Sequence, residues 1–264
     1  MPIITLLTDF GTKDPYVAEM KAVVLSICPS ATIVDITHEV SSFNILEAAL
    51  ILAEASQYFP SATIHVVVVD PGVGSERRAI AVKTKHFFFV GPDNGVLSLA
   101  IKRDGGARLA VSLENPKYFL GRVSRTFHGR DVFAPVAAHI ANGIPLQSFG
   151  PPIGKFIELS ISEPKQIGEA YEAEVLFTDK FGNCVTNIGE HLIPSNARSV
   201  LLELEDGRIL KLPLVTSYAS VPRGAPLAIV DSFGFLEIAV NMDSAEHLFN
   251  LKAGKKVKVS FKEH

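Results

Sequence analysis

The sequence predicts an α/β protein, with an N-terminal three-layer α/β domain around a largely parallel central sheet and a smaller C-terminal antiparallel, barrel-like β domain. Three observations predict it. Apolar runs such as Ile64–Val69 alternate with amphipathic helical patterns through the first half, which implies right-handed βαβ crossovers. Those runs lack polar alternation, as strands covered on both faces do. Beyond Lys165 the texture changes to short alternating or apolar segments separated by turns such as Glu205-Asp206-Gly207. Gly150-Pro151-Pro152 begins a seam running to about Pro164, giving a large domain over residues 1–163 and a small one over 164–264.

Taken in order, Ile3–Thr8 is a first buried strand ending in Asp9-Phe10-Gly11. Asp14 and Pro15 open a helix whose Val17, Met20, Val23, Val24 and Ile27 share one face and which stops before Pro29. Thr32–Asp35 is a short strand, and Ser41-Ser42-Phe43 leads into an apolar helix over Asn44–Tyr58. The central strand then ends abruptly at Asp70. Pro71 removes a ladder donor and Gly72 and Gly74 permit unusual backbone, so the chain turns away carrying Ser75, Glu76, Arg77 and Arg78. Two strands, Ala79–Thr84 and His86–Val90, close tightly around Lys85. Pro92-Asp93-Asn94-Gly95 is a turn into a helix ending before Asp104-Gly105-Gly106, Arg108–Ser112 is a strand, and Asp131–Asn142 is a helix stopped by Gly143. The small domain takes its strands from Tyr171–Phe177, Val200–Leu204, Ile209–Lys211, Leu227–Val230, Phe235–Ala239 and Lys256–Phe261. Two segments, Phe177–Asn187 and Asp231–Asn241, concentrate polar groups around glycine and read either as β-turns or as ligand loops.

Composition excludes several classes. With 264 residues and 47% hydrophobic content a sizeable core is available, and a net charge of −3 leaves no electrostatic footprint for nucleic acid or an anionic membrane. Cys28 and Cys184 form no CxxC or metal-spacing motif, MPIITLLTDFG is not expected to act as a leader because it has no basic start and meets Asp9 before any signal-length apolar run, and no uncharged run approaches membrane-spanning length. The expectation is a cytoplasmic protein with a small-molecule ligand.

Ligands of open α/β sheets sit beyond the carboxyl ends of strands, which makes the acids at Asp9 and Asp70 site candidates. The plainer alternative is that Asp70 caps its turn while Arg77 and Arg78 are solvated. DPGVGSERR lacks the P-loop spacing, and no GxSxG is present for a serine hydrolase. Asp9, Asp70, Asp93 and His128 could serve a metal-dependent phosphohydrolase, but no HxxxH, HxH or DxD pair places two ligands together and arginines flank two of the four. The remaining option is a metal-free site in which acid, guanidinium and imidazole polarise one water. His128, framed by Gly129 in a polar segment, suits that role better than His38, His65 or His139. Water has a pKa of about 15.7, and a general base gives about 10²–10⁴-fold, so the electrophile must already be reactive. A sulfonium-bearing carbon qualifies because its leaving group departs neutral.

Six motifs in order, TDFGTKDPY from Thr8, VDPGVGSERR from Val69, GPDNGVLS from Gly91, TFHGRDVFAP from Thr126, FGNCVTNI from Phe181 and SFGFLEIAVN from Ser232, resemble the S-adenosyl-L-methionine (SAM) hydroxide adenosyltransferase family, the SAM hydrolases. The resemblance covers nearly the whole chain and extends to the SAM-dependent fluorinases and chlorinases. It implies hydrolysis of SAM to adenosine and L-methionine by in-line attack of water on ribose C5′. It further implies no cofactor and no metal, and a homotrimer with sites between the large domain of one subunit and the small domain of the next.

By the same resemblance the catalytic residues are Asp70, Arg77 and His128, with Arg77 chosen over Arg78 by motif position. Asp70 and His128 would accept hydrogen bonds from the water while Arg77 orients it. Asp9 matches the acid on the ribose hydroxyls, Asp14 and Asp179 match acids near the methionine end, and Phe43 matches an aromatic near the nucleoside. Phe181 and Asn183 match adenine contacts and Ser232 a carboxylate contact. The chain departs from the halogenases, which carry Arg at Phe233, Tyr at Asp70 and Tyr-Ser at His128-Gly129 and insert a loop not found here. A charged Asp70 would repel halide, favouring water over halogenation. A non-catalytic adenosine or SAM binding module is the further alternative.

Overall fold

The computed structural model describes residues 1–263, and the chain divides into two compact units meeting at Leu159 and Ser160. The first unit runs β1 (Ile3–Thr8), α1 (Tyr16–Ile27), β2 (Thr32–Thr37), α2 (Ile45–Ala55), β3 (Ile64–Val68), β4 (Ala79–Lys83), β5 (Phe88–Pro92), α3 (Ser98–Arg103), β6 (Leu109–Ser112) and α4 (Ala134–Ala141). Its sheet has the order β2-β1-β3-β5-β4-β6. Pairings among β2, β1, β3 and β5 are parallel, and β4 runs against both β5 and β6.

The apolar runs are buried on both faces, as continuous Val/Ile strands must be. Val66 and Val68 join Met20, Val24 and Val136 beneath α1 and α4, whereas Val67 and Val69 join Leu52, Leu97 and Ile101 beneath α2 and α3. Three layers result. β1 and β3 pair with Thr8 opposite Val68, so Asp9 and Asp70 leave the sheet from adjacent strand ends.

Three local expectations shift. The strand from Thr32 continues to Thr37, and the helix expected from Asp131 instead begins as a π-type turn over Gly129–Phe133 that leads into α4. The turn between β4 and β5 is wider than a tight reversal at Lys85, because Thr84 and His86 both bond the Asp104 carboxylate.

The second unit comprises β7 (Lys165–Ile167), β8 (Ala170–Thr178), β9 (Cys184–Gly189), β10 (Ser199–Leu204), β11 (Ile209–Val215), β12 (Pro226–Val230), β13 (Phe235–Val240), α5 (Ala245–Phe249) and β14 (Lys256–Lys262). Seven strands close in the order β14-β10-β11-β12-β13-β9-β8, with β8 returning to β14 and β7 added outside β8. Closure leaves no open edge on the ring. All of its pairings are antiparallel except β11 with β12. β9 lies in a stretch that the polar residues suggested was a turn or loop, yet all of it is buried. Thr186 Oγ1 donates to the Leu236 carbonyl, while Asn187 donates to Ser162 O and accepts from Glu174 N. Among the described residues no helix is long and apolar enough to cross a membrane.

Candidate active site

Asp70 follows β3 directly, and the turn behind it returns Arg77 onto it. Arg77 Nε lies 3.0 and 2.9 Å from the two Asp70 oxygens, and Nη2 lies 2.5 Å from Oδ2. The side chains of Arg77 and Asp70 are only 9% and 5% exposed, so the pair is shielded where electrostatics act strongly. The same Nη2 lies 2.8 Å from His128 Nδ1. Guanidinium nitrogens only donate, so Nδ1 accepts, and the neutral ring carries its proton on Nε2. Burial, and after it the Arg77 charge, holds the His128 imidazole below its ordinary value, with Asp70 and Asp131 opposing. Arg77 also stacks over the Phe133 ring at 5.4 Å.

Two glycines permit this convergence. Gly74 has φ +77°, and a Cβ there would collide with the Arg125 carbonyl oxygen, so the turn after Asp70 lies directly against the segment leading to His128. Gly129 leaves only 3.1 Å between a notional Cβ and Met20 Sδ. Arg78 has a different task. It bonds Asp93 and the Lys155 carbonyl, and Asp93 also accepts from Ile157 N–H, so both residues tie down the 155–157 segment.

Asp70 and His128 open onto a cleft of about 290 Å³, which Asp9, Ser42, Phe43, Tyr16, Phe10 and Phe127 also line. Arg77 stands behind its wall. Asp9 Oδ2 accepts the Phe43 N–H at 2.9 Å, holding Phe43, a residue 69% exposed, at φ 67°. A left-handed aromatic residue is strained and an exposed one loses burial energy, and both costs fall at a cleft. Glu47 secures the loop from below, accepting from Ser41 N and Asn44 Nδ2. Asp14 is exposed and does not line the cleft.

The barrel unit has its own cleft, about 720 Å³, lined by Asp179, Phe181, Asn183, Tyr218, Asn241 and Met242 among others. Asp179 receives the N–H groups of Phe181 and Asn183 and the Asn183 amide, so its carboxylate organises the loop. Ser232 is exposed on the turn after β12 and lies outside this lining. Beside the cleft residue Tyr218, whose hydroxyl donates to it at 2.8 Å, Glu237 is buried, and burial pushes its carboxyl up to about 7, with Asp179 and Asp231 adding to the shift.

Sequence reasoning missed the aromatic wall. Phe10, Tyr16 and Phe127 meet edge to face with centroids 5.2–5.7 Å apart. The signal was present, because each ring lies within two residues of a motif acid or His128. The other histidines are placed elsewhere: His65 is fully buried against Phe59, Phe87 and Phe89, His38 bonds Thr8 Oγ1, and His139 packs on Tyr118. Among the described residues no three His, Cys, Asp or Glu side chains are grouped to hold a metal ion.

A parallel-rich α/β unit bearing a shielded acid, guanidinium and imidazole at its strand ends, followed by a closed β-barrel, defines a two-unit protein of the small-molecule-processing class. Its family is specific: the chain belongs to the SAM hydroxide adenosyltransferase family, the N-terminal domain model matching residues 4–150 and the C-terminal domain model residues 173–258. It is 39% identical to an (R)-S-adenosyl-L-methionine hydrolase of Salinispora arenicola over 98% of each chain. A protein of the same description from Thermus thermophilus is 38% identical over 97% of this chain and 98% of its own length. A fluorinase of an Actinoplanes species is more distant, at 28% over 98% and 97%. The solved structure of an uncharacterized conserved protein from Thermotoga maritima superposes with a TM-score of 0.88 at 40% identity, covering 97% of this chain and 99% of that one.

Proposed function

We propose that the protein hydrolyses S-adenosyl-L-methionine to adenosine and L-methionine, with Asp70, Arg77 and His128 activating the water. The observation that carries the reading is one buried guanidinium bonded to both Asp70 and His128 at the wall of a cleft. In the reaction the water oxygen attacks ribose C5′, the C5′–S bond breaks, and its electron pair leaves with sulfur as neutral methionine. The water proton passes to Asp70. His128 was expected to accept from the water as Asp70 does, but its Nδ1 is already engaged by Arg77. Its remaining polar atom is an Nε2–H, which donates to and orients the water oxygen. Arg77 fixes both partners rather than touching the water. A carboxylate at the attacking position favours water over a halide ion.

Asp9 retains Oδ1 and its remaining lone pairs for ribose hydroxyls, and Phe43 faces the nucleoside. The loop carrying Phe181 and Asn183 takes the adenine. Asp14, Asp179 and Ser232 belong to the methionine end of the proposal; Asp14 and Ser232 are exposed and outside the linings of the two clefts. The proposal includes a homotrimer in the cytoplasm, and light scattering of the purified protein tests the assembly.

Incubation with SAM, followed by chromatography of adenosine and methionine, tests the activity. Stoichiometric release that Asp70→Ala abolishes supports the reading. Tight SAM binding without turnover would instead favour a binding module, and loss of turnover with a chelator would favour metal chemistry.

A further inference from the structure

The loop that delivers His128 has no strand ladder to hold it, and its order comes from Asp131. That side chain is fully buried, and its two oxygens take three N–H groups: Ser124 N at 2.7 Å, Arg130 Nε at 2.7 Å and Arg130 Nη2 at 3.3 Å. Ser124 Oγ in turn accepts from Thr126 N and Phe127 N, while the Asp131 carbonyl accepts from Leu120 N and its own N–H donates to Phe127 O. Thr126, Phe127 and His128, all lining the cleft, are thereby wrapped around one carboxylate. Arg130 extends the network outward, covering the Phe127 ring at 4.9 Å and bonding Glu19 on α1 at 2.7 Å.

Burying the Asp131 carboxylate is a costly way to hold a loop, since removing that charge from water costs several kcal/mol while its partner Arg130 stays 32% exposed. An apolar side chain there could accept neither the Ser124 N–H nor the Arg130 guanidinium, and would leave the segment before His128 without these ties. Three charges act on His128: Arg77 disfavours its protonated form, while Asp70 and Asp131 favour it.

Resting on the proposed water activation by Asp70, Arg77 and His128, we propose that Asp131 is a positioning residue for the reaction, fixing the place of His128 through Ser124 and Arg130 without touching substrate. Asp131→Asn keeps the volume but turns an amide donor toward N–H groups.

In the full-length protein, Asp131→Asn is expected to lower kcat for SAM on the order of 10²-fold while leaving KM little changed. The His128 ring signal, assigned in NMR spectra by its absence in His128→Asn, should titrate at lower pH than in the parent protein, because an anion has been removed. Unchanged kcat together with an unchanged His128 titration would overturn the proposal, as would a loss confined to KM. The titration needs no substrate, so a shift in a protein that failed to hydrolyse SAM would separate failure of the reaction from failure of the Asp131 assignment. Should Asp131→Asn not fold, Arg130→Gln, at a partly exposed side chain, removes two of the three N–H groups that Asp131 accepts. A kcat reduced about tenfold supports the assignment, and an unchanged kcat overturns it.

Discussion

Arg77 donates from Nη2 to Nδ1 of His128 at 2.8 Å, and the same nitrogen lies 2.5 Å from Asp70. That single contact determines the tautomer of the imidazole and, with it, which side chain can receive a proton from water.

Arg77→Lys is therefore not conservative. A lysine ammonium is a point charge that cannot reproduce the two-atom grip on Asp70 while also reaching His128. The account predicts a fall in SAM turnover on the order of 10²-fold with a folded protein. Arg77→Met, which strands a buried carboxylate, should in addition lose about 3 kcal/mol of stability, measurable by urea titration.

The pH dependence follows from the depressed His128. Burial disfavours the charged imidazole, and protonating Nδ1 would also break its bond to Arg77 and place two cations together, so the charged form appears only below the ordinary value of 6.5. The rate should hold steady as pH falls through 6.5 and drop only at lower pH. The same sign applies to stability: the unfolded chain binds the proton first, so stability is complete above the unfolded value and declines as pH falls below it. A pH–kcat/KM profile checks this, and in Arg77→Met the acid limb should move to higher pH.

Gly74→Ala tests the contact between the turn after Asp70 and the segment before His128. The new methyl group would meet the Arg125 carbonyl at a φ that suits glycine. Stability should fall by more than about 1 kcal/mol, and activity should fall further than stability explains. Gly105→Ala, where nothing lies within 4 Å of the Cβ and φ is also positive, is the control that isolates backbone strain.

Phe43→Gly separates a binding residue from a structural one. Glycine relieves the left-handed backbone but adds chain entropy to the unfolded state, so the two effects nearly cancel and stability should stay within about 0.5 kcal/mol. Because Phe43 is 69% exposed, little burial is lost. KM for SAM should nonetheless rise by roughly tenfold, reflecting about 1.4 kcal/mol of lost contact.

The fold was legible where one physical requirement dominated. Branched runs such as Ile64–Val69 announce strands buried on both faces, and the turn-separated second half announces a barrel. β9 was not legible because Thr186 and Asn187 look like loop residues until their partners at Leu236, Ser162 and Glu174 are in place. The helix after His128 starts differently from its periodicity because Asp131 is drawn inward to Ser124 and Arg130. The acids at strand ends were readable from position, and residue types suggested an acid, a guanidinium and His128 around one water, whereas the choice of Arg77 over Arg78 came from motif resemblance. Spacing cannot reveal that a glycine lets two distant loops touch. Asp14 and Ser232, carried over the same way, are exposed and outside the lining of either cleft.

The central claim is that water, activated at Asp70, attacks ribose C5′. Turnover of SAM in water enriched in oxygen-18, with mass spectrometry of the nucleoside, tests it most directly. The account predicts one labelled oxygen in adenosine, at the 5′ position, and none in methionine. Unlabelled adenosine, or methylthioadenosine as the released nucleoside, would contradict it.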